Sequence, residues 1–249
     1  MRKPGRDADF VSYGDLSGPE LQADQWTPVP LPLPTGGTHL PMDPGANVTV
    51  GDDAVDVVIP RFSLSDDNVQ SADSAKYLML STRRFGLLNE RPVTFAVDLT
   101  VRNIGGQPAD YRRGMAAFQV GDLESKRVFS VCGTSTRVLA LHEQVGPGGD
   151  DSSAPFYYVV ESPYADFDDD FTRPRSCEIT LDPGRSVATW RVDGQLIYEV
   201  QGTLVPDQVQ IGFGIWTMLP IRAGRSRSVD DGQGLHATWR GFRVRGSDR

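Results

Sequence analysis

Residues 179–200, ITLDPGRSVATWRVDGQLIYEV, decide the fold. Asp182-Pro183-Gly184-Arg185 is a Pro/Gly turn. Asp193-Gly194 is the dipeptide preferred by a two-residue hairpin, because both central positions need positive φ. Between the turns, Val187, Thr189 and Arg191 alternate with Ala188, Trp190 and Val192. That period of two belongs to a strand with one buried face. The stretch therefore predicts a three-stranded antiparallel meander.

The same rhythm extends outward. Residues 47–50 and 54–59 flank Gly51-Asp52-Asp53, a hairpin signal. Strands are expected at 77–82 and at 92–101, where Phe95, Val97, Leu99 and Val101 share one face. A second meander is expected over 114–120, 127–132 and 137–144, with turns at Gly121-Asp122 and Gly133-Thr134-Ser135. Strands at 156–161, 209–217 and 235–244 complete the set, and the polar stretch 63–76 has room for one short helical turn. Short strands with turn signals every ~8–12 residues predict an all-β, antiparallel jelly-roll sandwich. Residues 1–45 are rich in Pro and Gly and read as an extended arm packed on a single domain of residues 46–249, pinned by Phe10 and Trp26.

The chain has 249 residues, a net charge of −8 and a hydrophobic content of 39%. This composition suits a sizeable core and argues against a disordered chain. The acidic balance argues against nucleic acid, which requires a basic face. No apolar run reaches the ~18 residues that span a membrane, and no leader-like apolar segment follows the first residues, so a cytoplasmic location is expected. Cys132 and Cys177 lie in apolar strand contexts and read as buried free thiols, with a disulfide between them as the lesser alternative.

The run Ala188-Thr189-Trp190-Arg191-Val192-Asp193-Gly194, the Gly-alternating Gly212-Phe213-Gly214-Ile215-Trp216 and the terminal Trp239-Arg240-Gly241-Phe242-Arg243-Val244 resemble the concanavalin A-like lectin/glucanase superfamily. The resemblance implies the jelly roll and no single activity. Trp26, Leu31-Pro32-Leu33-Pro34, Gly37 and Ser81-Thr82-Arg83-Arg84-Phe85 make the whole chain similar to a bacterial family of unknown function.

Glucanases of this fold set two or three carboxylates at alternate positions of one strand, so that all enter the cleft. The nearest match is Asp122-Leu123-Glu124, which reads as a turn and has no third carboxylate. Asp166, Asp168, Asp169 and Asp170 could hold Ca²⁺, but a solvated acidic loop is the better reading. There is no Gly-rich phosphate loop, no zinc spacing and no nucleophile elbow, so no cofactor and no metal is expected.

What remains is polar groups on strands built for burial. His142 ends an apolar strand, Glu161 ends another, and Asp98 interrupts a third. His142 could move a proton near neutral pH, with Glu161 or Asp98 as its counterpart. Trp216 stands on a side cleared by Gly212 and Gly214. Tyr157, Tyr158, Gln119, Glu143 and His39 are candidate ligand contacts, and His236 reads as solvent-facing. The first expectation is a cofactor-free enzyme that binds a small, fairly hydrophobic metabolite and promotes cyclisation or isomerisation. The alternative is a non-catalytic carbohydrate-binding or glycan-active jelly roll, in which Trp216 and the tyrosines stack on sugar rings. A third reading is an assembly sandwich whose arm docks on a partner.

Overall fold

A computed structural model describes residues 9–32, 38–64, 74–87, 91–145, 155–161, 170–219 and 232–246. It is nearly all strand. In chain order these are β1 (Val11–Ser12), β2 (Trp26–Pro28), β3 (Leu31–Pro32), β4 (Thr38–His39), β5 (Asn47–Gly51), β6 (Ala54–Ile59), β7 (Ser74–Ser81), β8 (Phe85–Gly86) and β9 (Val93–Ile104). After a 3-10 turn at Tyr111–Arg113 come β10 (Met115–Asp122), β11 (Arg127–Thr134), β12 (Arg137–Gln144) and β13 (Phe156–Glu161). The rest are β14 (Arg175–Asp182), β15 (Val187–Val192), β16 (Gln195–Gln201), β17 (Gln208–Thr217) and β18 (Gly234–Arg245).

Two antiparallel sheets face each other in a jelly-roll sandwich. The first runs β16-β15-β14-β9-β18-β6-β5, with β1 also on β18. The second runs β13-β12-β11-β10-β17-β7-β2, with β8 also on β17. The predicted meander is β14-β15-β16. Asp193 and Gly194 both have positive φ (49° and 78°), as a two-residue hairpin between strands of right-handed twist demands. Asp52 and Asp53 do the same between β5 and β6.

Alternation builds the core. Phe95, Val97, Leu99 and Val101 of β9, Ile179 of β14, and Ala188, Trp190 and Val192 of β15 face Phe118, Phe129, Ile211, Phe213 and Ile215 of the second sheet. Trp239 reaches across from β18 and donates its indole N–H to the Ala117 carbonyl at 3.0 Å. At ~1.5–3 kcal/mol per fully buried large apolar side chain, this interior is the main source of stability.

The N-terminal segment is more integral than a covering arm. β1 pairs with β18 of the first sheet and β2 with β7 of the second. Trp26 lies between the sheets, with its ring 4.8 Å from Phe242 and 5.1 Å from Phe213. Pro28 ends β2 at a sheet edge, where a missing N–H costs no ladder bond. Phe10 is held from outside, under the guanidinium of Arg245 at 4.6 Å. Most of the polar stretch 63–76 lies outside the described residues, but its end, from Ser74, is strand.

Candidate functional site

The outer face of the second sheet is the distinctive part of the fold. The side chains of β10, β11, β12 and β17 that point away from the sandwich interior form a second buried cluster. It contains Met115, Ala117, Cys132, Leu139, Leu141 and Trp216, with Leu78 and Leu80 from β7. Burial on both faces explains why these strands read as nearly continuous apolar runs.

Polar groups are set into this apolar face. Gln119 of β10 pairs in register with Ser130 of β11 on one side and Gly212 of β17 on the other. The Gln119 side chain lies flat over Gly212, where a Cβ would come within 2.6 Å of its amide nitrogen. The Trp216 indole nitrogen lies over Gly214, 3.3 Å from where a Cβ would stand. The two glycines thus clear the floor, as the alternation predicts. Gln119 Oε1, Ser130 Oγ and Trp216 Nε1 are buried and have no hydrogen-bond partner. Glu143 is also buried on this face, and it raises the pKa of the Cys132 thiol, second to burial itself. Tyr157, in register with Glu143, donates its hydroxyl to Met218 Sδ at 2.7 Å.

The expected proton-transfer residues do not meet there. His142 points into the sandwich interior. It stacks on Phe129 at 5.1 Å, meets the edge of Phe156 at 4.8 Å and shares a 3.1 Å hydrogen bond with Thr203 Oγ1 through Nε2. Burial, helped by the nearby Arg127 charge, pushes its pKa down to about 4. Glu161 sits on the edge strand β13, half exposed, with its carboxylate 3.5 Å from Arg137. Asp98 is on the outer face of the first sheet, bound to Arg243 at 3.0 Å. The strand-end positions of His142 and Glu161 suggested neighbours. One residue of phase puts them on opposite faces of the second sheet.

Tyr158 projects on the His142 side of β13 and is exposed. His39 lies on the β3–β4 ribbon opposite Leu31, which packs against the outer cluster. His236 is on the first sheet's outer face, 2.8 Å from Asp56. Asp166, Asp168 and Asp169 lie outside the described residues, and Asp170 accepts from Thr172 N–H at 2.8 Å. Among the described residues no group of three His, Cys, Asp or Glu side chains could hold a metal. Both cysteines are free, Cys177 inside the sandwich and Cys132 beyond the second sheet. No helix of the described residues is long and apolar enough to cross a membrane.

Asp122 and Glu124 form a turn, as expected. The Asp122 carboxylate accepts the Glu124 and Ser125 N–H groups at 3.3 and 2.7 Å. The outward positions of the central strand β10 are Met115, Ala117, Gln119 and Gly121, none of them a carboxylate. Glu143 and Glu161 sit on adjacent strands but four positions apart, ~13 Å along the strand, and Arg137 draws Glu161 further away.

Ser130 is the residue that sequence reading missed. Its signal is the phase of β11, where Ser130 and Cys132 oppose Phe129 and Val131. Its partnership with Gln119 needs the true turn, at residues 123–126, from which Asp122 pairs with Arg127 and Gln119 with Ser130.

Solved structures share this fold. The endo-1,3-β-glucanase of Streptomyces sioyaensis superposes with a TM-score of 0.59 at 12% identity, covering 98% of both chains. LamA of Z. galactanivorans, crystallised with laminaritriose and laminaritetraose, gives 0.58 at 9% identity over 96% of this chain and 99% of that one. A β-1,3-1,4-glucanase (lichenase) from a mouse hindgut metagenome gives 0.55 at 12% identity over 95% and 99%. At such identities the likeness shows the jelly-roll fold alone. No curated protein matches the sequence. Residues 9–248 match the model of a family of unknown function, DUF6081, and the chain belongs to that family.

Proposed function

We propose that this protein is a non-catalytic carbohydrate-binding jelly roll that takes a sugar on the outer face of its second sheet. The observation that carries the reading is the character of that face. Trp216, Gln119 and Ser130 stand among apolar side chains, and no strand of the face bears carboxylates at alternate positions. A mostly apolar surface with a few placed polar groups is how small-molecule sites are built. Glycoside hydrolysis needs two carboxyl groups ~5–9.5 Å apart, and Glu143 and Glu161 do not offer them. The fold neighbours that act on or bind β-1,3-linked glucans point to the first sugars to try. The cyclase reading has less support, because His142 lies in the sandwich interior, Glu161 on the edge strand β13 and Asp98 on the outer face of the first sheet.

The test is calorimetric titration of the purified chain with laminaritriose, laminaritetraose and mixed-linkage β-glucan, alongside a reducing-sugar release assay. Binding without release is expected. Hydrolysis, or no binding to these or to a broad glycan array, would overturn the reading.

A further inference from the structure

We infer that the edge strand β13 is a homodimer interface, at which two copies of this chain join their second sheets into one continuous sheet by antiparallel β13–β13 pairing. The inference is independent of the sugar reading. β13, Phe156-Tyr157-Tyr158-Val159-Val160-Glu161, pairs with β12 alone and closes the sheet on that side. Its composition is aromatic and β-branched, with no proline and no lysine, and its ladder with β12 runs without a bulge. Among the described residues, no backbone group of Phe156, Tyr158, Val159, Val160 or Glu161 bonds to backbone outside that ladder. Tyr157 and Tyr158 are 39% and 57% exposed. The other three sheet edges are protected or polar. β2 is short and ends in Pro28, β16 carries Glu199 and pairs through a bulge, and β5 presents Asn47 and Thr49 and no aromatic side chain.

The side chains of β13 complement a second copy of themselves. A twofold axis normal to the sheet keeps the outer faces of both copies on one side, so directly opposed residues must share a face. With the axis at Tyr158, that residue opposes its own counterpart, Phe156 opposes Val160, and Tyr157 opposes Val159. Aromatic–aromatic and aromatic–β-branched pairs are favourable cross-strand combinations. Glu161 is the only charged side chain of the strand. Antiparallel pairing sets its two copies about 20 Å apart along the ribbon, beyond the ~8–10 Å screening length, whereas a parallel in-register stack would line them up. The charge therefore selects a closed pair of copies over an open stack. A single ribbon of this length buries less than the ~1,200 Å² of a standard interface, so the dimer is concentration-dependent.

The experiment is sedimentation equilibrium of the full chain from about 5 to about 500 μM, a span chosen for a weak interface. The expected result is a reversible shift from one chain to two, stronger at higher salt because each copy carries a net charge of −8. Tyr158→Glu sets two like charges face to face at the axis and should weaken association by about tenfold or more. Its melting temperature should stay within about 2 °C of the native value, because the side chain is exposed. Tyr158→Cys should give a disulfide-linked dimer on mild oxidation with diamide, and Val48→Cys, on the exposed edge strand β5, should not. The native Cys132 and Cys177 are buried and stay silent in this assay. Three results overturn the proposal: a native chain that stays monomeric throughout, which leaves the edge to an extended segment of another protein; association undiminished in Tyr158→Glu; or Val48→Cys cross-linking as fast as Tyr158→Cys.

Discussion

His142 and Glu143 are consecutive, both are buried, and they face opposite sides of the same sheet. The imidazole lies between Phe129 and Phe156 inside the sandwich, while the carboxylate shares the outer face with Trp216 and Tyr157. The same strand therefore supplies a core residue and a site residue at adjacent positions, and only one of the two can meet a ligand on that face.

The interior position of His142 makes it a stability element with a pH signature. Its folded pKa of about 4 lies below its ordinary value of 6.5. The unfolded chain therefore takes up a proton before the folded one does. The stabilisation is complete above pH ~6.5 and is lost as the pH falls toward ~4, by on the order of 3 kcal/mol. Urea unfolding at stepped pH should show this loss in the native chain. In His142→Phe the slope between those pH values should be flatter, and sugar affinity should be unchanged.

Site residues should respond differently. Trp216→Ala should weaken sugar binding by more than about tenfold, since a ring surface and its N–H are both removed. Gly212→Ala should do the same by pushing the Gln119 side chain off its floor, where the new methyl would meet both Gln119 and Leu80 within 2.7 Å. Glu161→Gln, on the exposed edge beside Arg137, should leave affinity unaltered. Calorimetry on the three variants checks the contrast.

Two glycines test the packing of the strands. A Cβ at Gly234 would stand 2.0 Å from the Ile59 carbonyl oxygen and 2.4 Å from that of Pro60, both backbone atoms that cannot step aside. Gly234→Ala should cost ~1–3 kcal/mol or more. Gly86 has open space around the same position, and Gly86→Ala should stay within ~0.5 kcal/mol of the native chain. Denaturant midpoints will separate them.

Asp43 is a buried carboxylate that organises the turn before β5. It accepts N–H groups from Gly45, Ser63 and Leu64 at 2.9, 2.8 and 2.8 Å and the Ser63 hydroxyl at 2.6 Å. Burial raises its pKa, but the Ser63 hydroxyl and the three backbone donors outweigh that and hold it below the usual carboxylate value. Asp43→Asn replaces an acceptor by a donor facing donors and should cost ~2–3 kcal/mol, read from thermal unfolding.

The scaffold was legible because its determinants are local. Asp193-Gly194 and Asp52-Asp53 announce their hairpins through backbone conformation alone, and the phase of Ala188, Trp190 and Val192 follows from the turn. The site was legible only in part. The cleared side around Trp216 is written in one strand by Gly212 and Gly214. The pairing of Gln119 with Ser130 depends on where the β10–β11 turn closes, and a turn placed at Gly121-Asp122 rather than at residues 123–126 hides it. The separation of His142 from Glu161 and Asp98 is a matter of which face and which sheet each occupies, and neither periodicity nor composition records that.

The pairing of Val11 with Val244 has an architectural consequence. The described chain enters and leaves the sandwich on neighbouring strands of the first sheet. The two described ends, Asp9 and Gly246, therefore lie close together at one end of that strand pair. Joining the two ends by a short linker and reopening the chain at a β-turn, such as the one between β15 and β16, should therefore preserve the fold.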